Sequence, residues 1–244
     1  MSDGLGDLIQ VYSPLTSISL GAFCWAPVPF QTSSVNVVRP LSNDPASDDY
    51  NRYQIASVGI GAVGKQNTAT GPRFPDKTLE LASGEDLFVI RGKVRPVLPI
   101  FNPTAKLLDV TNDGVKSAKE MELCLGCLPA YTLVNEYGNP RHRPEFIENV
   151  RAMKYAVCCY LPGHPAMRDR ETFLRMDRLI WLPRTVLQPM GQGLTGEALH
   201  YVTNWFNWFA GIEQLGGEIA ALREMLLDDL QKARVAAAAK SRRH

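Results

Sequence analysis

Cys124-Leu125-Gly126-Cys127 is a C-x-x-C. Such a pair can supply half of a tetrahedral zinc site or carry thiol–disulfide exchange. Cys158, Cys159, His142 and His164 follow it, so a zinc module can be drawn around Cys124, Cys127, His142 and Cys158. A structural zinc site usually repeats the tight pair, and adjacent cysteines repeat it poorly, because neighbouring side chains of an extended chain diverge. No thioredoxin-like surroundings accompany the motif, and burial as apolar thiols is the default. The sequence therefore assigns no metal ligands and no cofactor.

Gly59-Ile60-Gly61-Ala62-Val63-Gly64 fits G-x-G-x-x-G. A dinucleotide site needs a helix to begin there, so that its N-terminus can hold the pyrophosphate. The chain continues Lys65-Gln66-Asn67-Thr68, which is loop material, and a glycine-bearing strand with a bend is the simpler expectation. Asp48-Asp49 and Asp228-Asp229 are paired carboxylates that surface solvation explains. Neither a G-x-S-x-G elbow nor a P-loop lysine motif is present, and the four histidines are scattered. No catalytic residue is assigned, and the expectation is a non-enzymatic protein.

Arginines are the more suggestive residues. Arg141, His142 and Arg143 sit in a turn-rich loop, and Arg168, Arg170, Arg175, Arg178 and Arg184 form a second group. On a helix, Arg168, Arg175 and Arg178 would lie near one face. With Asp169, Glu171 and Asp177 interleaved, the segment reads as a charged surface. It also reads as a phosphate-binding face for RNA or acidic lipid, with Arg141, Arg143, Arg168, Arg175 and Arg178 as its contacts.

The most regular pattern lies further on. Tyr201, Trp205, Trp208, Ile212, Leu215, Ile219, Leu222 and Leu226 alternate by four and three, the spacing of a helical seam. The seam either packs on its own chain, meets a copy of itself, or lies on a membrane surface through its aromatic half. As an oligomer contact it comprises Trp205, Trp208, Ile212, Leu215, Ile219, Leu222 and Leu226. Gly211, Gly216 and Gly217 predict a break, which would make the aromatic and aliphatic halves two helices.

The elements that must carry these residues are strand-like first and helical later. Short apolar runs punctuated by Gly, Pro, Asn and Asp predict strands over 17–30, 34–38 and 52–63, and hairpins over 78–91 and 106–115. Pro96 and Pro99 predict that Val94–Phe101 is an edge strand or a crossing segment. A helix is expected to start at Pro144, with the 155–161 run open to either helix or strand, and another over 168–182. The expected class is α+β: a flexible arm over 1–16, a β-sandwich-like body over 17–161, and a helical region over 166–244 with a linker at 183–196.

With 244 residues, 45% hydrophobic, 21% charged and a net charge of +1, the chain can bury a proper core. Its overall charge makes no case for nucleic acid. No apolar run spans a membrane, and the first residues do not read as a secretory signal. Five cysteines, an odd number, suit reduced thiols in the cytoplasm. The profile is that of a structural protein which self-associates into a layer or shell, a homo-oligomer of viral matrix or capsid texture (and so virion-borne), though no motif ties it to a family. RNA or an acidic membrane surface is the further partner. The alternatives are a nucleic-acid-binding protein using the arginines of 141–184, and the zinc module.

Overall fold

A computed structural model describes residues 5, 9–29, 35–40, 46, 53–58, 92–102, 124–163 and 170–241. The chain divides into two compact units. One comprises Met1–Pro27 with Val94–His244, and the other, Val28–Lys93, is inserted between its halves. The division is an insertion, so it does not follow the expected boundary between a strand-rich body and a helical region.

In order, the strands are β1 (Tyr12–Leu15), β2 (Ala22–Pro29), β3 (Val35–Pro40), β4 (Tyr53–Val58), β5 (Gly92–Phe101) and β6 (Cys124–Thr132). Helix α1 (Pro144–Arg151) follows, then β7 (Cys158–Leu161), β8 (Thr172–Arg175), β9 (Ile180–Pro183) and β10 (Gln188–Leu194). Helices α2 (Gly196–Phe209) and α3 (Gly217–Ser241) come last. In the inserted unit β3 and β4 pair antiparallel, with Val35 opposite Val58 and Pro40 opposite Tyr53.

The other strands form one eight-stranded sheet with the order β1-β10-β2-β5-β6-β8-β7, in which β9 also pairs with β6. The ladders with a described register are antiparallel. The class is α+β, with a mostly antiparallel sheet and mainly C-terminal helices. The described strands of this unit make a single sheet and not the two facing sheets of a sandwich. That sheet is curled: its two end strands approach closely enough for Tyr12 Oη, on β1, to donate to Pro162 O just past β7, at 2.8 Å. The curl gathers Tyr12, Phe23, Leu98, Leu128, Leu161 and Leu174 into one core with Tyr201, Val202 and Trp205 of α2.

Three expectations are corrected here. Residues 183–196 are not a linker: Gln188–Leu194 is an interior strand between β1 and β2. Gly193 serves close packing, since a Cβ there would stand 2.6 Å from Gly21 O and 2.2 Å from Leu15 Cδ1. Residues 168–182 are not one helix. From Thr172 onward they form β8, a 3₁₀ turn at Met176–Arg178 and the start of β9. Val94–Phe101 is not at an edge, since β5 lies between β2 and β6. Pro99 is accommodated by an irregular register between Pro99 and Phe101, with Pro99 O accepting from Gly21 N at 2.9 Å. Much of the expected arm is also ordered by pairing: β1 aligns Tyr12 with Leu194, and Leu5, Val11 and Tyr12 are buried.

The helices follow their sequence signals. Pro144 opens α1, where a missing N–H costs nothing. Thr195 caps α2 by accepting from Ala198 N at 3.2 Å. Gly211 and Gly217, both at positive φ, flank the break between α2 and α3, as the glycines predict.

The hairpins expected over 78–91 and 106–115, the loop at 41–51 and the far end of the 52–63 strand lie wholly or largely outside the described residues.

Candidate functional site

Strand geometry decides the fate of the C-x-x-C. Cys124 and Cys127 are three apart on β6, so their side chains leave opposite faces of the strand. Burial pushes the Cys127 thiol up to about 12, helped by neighbouring Cys24 and Cys124. On β7, burial pushes Cys158 to about 11 and raises Cys159, which lies against Tyr201. These are protonated core thiols. His142 sits elsewhere, its ring 4.9 Å from that of Phe146 and 5.7 Å from that of Phe173. Burial and then Arg141 hold its pKa below the ordinary histidine value. Among the described residues no three His, Cys, Asp or Glu side chains are grouped to hold a metal ion. His164 and the 59–64 glycine motif lie outside the described residues.

The arginines are distributed by the sheet. Arg168 lies outside the described residues. Arg141 and Arg143 are exposed on the approach to α1. Arg175, on β8, forms a two-pronged ion pair with Asp177. That pair lowers the Asp177 carboxyl and raises the guanidinium. Arg178, in the 3₁₀ turn, donates from Nη1 to Tyr131 Oη at 3.1 Å, and its Cζ lies 5.8 Å from the Tyr131 ring centre.

The expected helical face is thus replaced by a cross-strand row. Tyr131 on β6 is opposite Phe173 on β8, and Phe173 is opposite Tyr160 on β7. Continuing the Val97–Pro129 register by two residues sets Arg95 of β5 opposite Tyr131. Arg95 Cζ lies 4.9 Å from the Tyr131 ring centre. Phe173 stacks on Tyr131 at 5.6 Å, and Phe146 of α1 meets Phe173 edge-on at 5.7 Å. Sequence reasoning missed Arg95. Its signal was a cation set next to Pro96 in a largely apolar, proline-bearing strand. Other arginines are structural: Arg151 makes a two-pronged ion pair with Glu171, Arg184 reaches Ile18 O, and Arg223 donates to Met153 O at 3.0 Å.

The helical seam is largely committed to its own chain. Tyr201, Trp205 and Leu222 are buried in the core, and Trp208, Leu215, Ile219 and Leu226 pack partly buried against it. Ile212 is 66% exposed, because it lies in the break between the helices. Past Leu230, α3 stays helical to Ser241, and from Gln231 to Lys240 every side chain is exposed except that of Arg234. Arg234 donates to Asn149 of α1 at 3.0 Å. Among the described residues no helix is long and apolar enough to cross a membrane. The chain matches no protein-family model, no curated protein and no solved structure.

Proposed function

We propose that this chain is a non-enzymatic structural protein that self-associates into a layer or shell, with the outer part of α3 as a contact between copies. The carrying observation is that α3 continues to Ser241 after its packing on the body has ended. Val235, 60% exposed, is followed by Ala236, Ala237, Ala238 and Ala239. Alanine favours the helix, and its small side chain lets a second helix approach closely. A helical extension that buries nothing against its own body gains burial when a copy covers it.

Light scattering with circular dichroism tests the proposal. The double change Val235→Asp with Ala238→Asp should leave the helical signal intact and reduce the particle to a monomer. Leu222→Asp should instead unfold the chain, because Leu222 sits in its own core. A monomeric wild type, or an oligomer indifferent to the double change, would refute the reading.

A second reading, binding of nucleic acid through the arginines of 141–184, is favoured by Arg178 lying over the face of Tyr131, with Arg175 on the neighbouring strand.

A further inference from the structure

We propose that Arg95, Arg175 and Arg178, set around Tyr131, form a cradle for the backbone phosphates of a single-stranded nucleic acid. The inference rests on the second reading above and is independent of self-association.

The cradle is built by elements distant in sequence. Arg95 comes from β5, Tyr131 from β6, Arg175 from β8 and Arg178 from the turn after it. Tyr131 is the organiser. Its ring carries Arg95 at 4.9 Å and Arg178 at 5.8 Å, and its hydroxyl accepts from Arg178 Nη1. Its other neighbour is Phe173, stacked at 5.6 Å, which fixes the ring. Arg175 is two residues along β8 from Phe173, on the same side of the strand, and feels Tyr131 electrostatically. The guanidinium groups are therefore held in place before any ligand arrives, which reduces the ordering cost of binding.

Charge and hydrogen bonding point the same way. Asp177 is the acidic partner of Arg175. Among the described residues neither Arg95 nor Arg178 takes part in an ion pair. Arg178 Nε is buried without a hydrogen-bond partner among those residues. A buried unpaired guanidinium N–H is costly, and a small shift of the Arg178 side chain that exposed it to a phosphate oxygen would satisfy it with a charge-assisted bond.

The line of groups favours an extended polymer over a single headgroup. From Tyr131 the contacts pass to Phe173 at 5.6 Å and on to His142 at 5.7 Å. His142 stands between the exposed Arg141 and Arg143. Phe173 is buried, so the row is a scaffold that sets cations at both of its ends, and spaced cations match a strand whose charges repeat along its length. Tyr131 is stacked on one ring and overlaid by guanidinium groups, so its part is to position the arginines. Binding should accordingly be indifferent to base sequence.

The test uses the full chain and a fluorescent oligouridylate of about twenty nucleotides, with anisotropy read across a salt series. Arg95→Gln and Arg178→Gln should each weaken binding on the order of tenfold. Each should also flatten the salt slope by about 0.7, the value for one single-strand phosphate contact. Lys232→Gln, the same charge change on the exposed face of α3, should leave both quantities unchanged. Arg178→Lys should recover part of the salt slope and little of the affinity, because a lysine lacks the guanidinium fork. Oligonucleotide binding that ignores Arg95→Gln and Arg178→Gln would overturn the cradle while leaving the nucleic-acid reading in place. An equal loss from Lys232→Gln would do the same, by reducing the effect to net charge. Binding to phosphatidylserine vesicles with none to the oligonucleotide would overturn both.

Discussion

Truncating Trp205 to alanine separates a seam used inside the chain from one used between chains. Trp205 is fully buried, and its Nε1 donates to Ala156 O at 2.8 Å. Its ring meets Trp208 edge-on at 5.0 Å and lies 6.0 Å from Tyr201. Removing a buried tryptophan costs about 3–5 kcal/mol, through lost burial and the cavity left behind. Trp205→Phe keeps most of the ring and loses the hydrogen bond, for about 1–2 kcal/mol. With a urea slope of about 2 kcal/mol per molar, the alanine change should lower the unfolding midpoint by about 2 M, and the phenylalanine change by less than half as much. Tryptophan fluorescence suits the assay, because Trp25, Trp181, Trp205 and Trp208 all lie in the same compact unit. A midpoint shift below about 0.5 M with an unchanged slope would refute the core assignment of the seam. A fall in particle mass without loss of stability would return Trp205 to an interface between copies.

Two further predictions concern protons and thiols. Burial alone would raise Glu171, but hydrogen bonds from Arg151 and Tyr160, with the Arg151 charge, hold its carboxyl below the ordinary value. A depressed folded-state pKa contributes stability that is present above the unfolded value and lost as pH falls through the folded one. Thermal melting from pH 7 down to pH 3 should therefore show a loss on the acid side that Glu171→Gln reduces, and an identical acid limb in the variant would refute the linkage. In the native chain at pH 8, Cys24, Cys127, Cys158 and Cys159 should react slowly with Ellman's reagent, since burial raises all four thiols. All should react promptly in urea. Fast native labelling of more than one thiol, suppressed by zinc, would restore the zinc reading.

Local signals located the elements that announce their own ends. Pro144 marked the start of α1, the glycines at 211 and 217 marked the break in the helical seam, and the proline-closed run after Ser17 contained β2. The seam's period also identified the buried residues Tyr201, Trp205 and Leu222. These features depend on neighbours within a turn or two, so composition and spacing carry them.

The assignments that failed depend on partners far away in sequence. Residues 188–194 look like a linker because of their glycines, yet one of them, Gly193, allows β10 to lie tightly between β1 and β2. Residues 172–183 carry a helix-like mixture of charge and apolar side chains, but β6 supplies a ladder for both β8 and β9. Long-range pairing outweighs a weak local preference. The arginine site shows the same division. Its residue types were visible in Arg175 and Arg178, while the meeting of Arg178 with Arg95 on Tyr131 came from distant segments brought side by side. Sequence alone determined which segments are apolar, where helices begin and break, and which cations are available. Tertiary structure alone decided which face of each strand is covered and which cations meet, because a side chain's neighbours across a sheet are set by register and not by spacing along the chain.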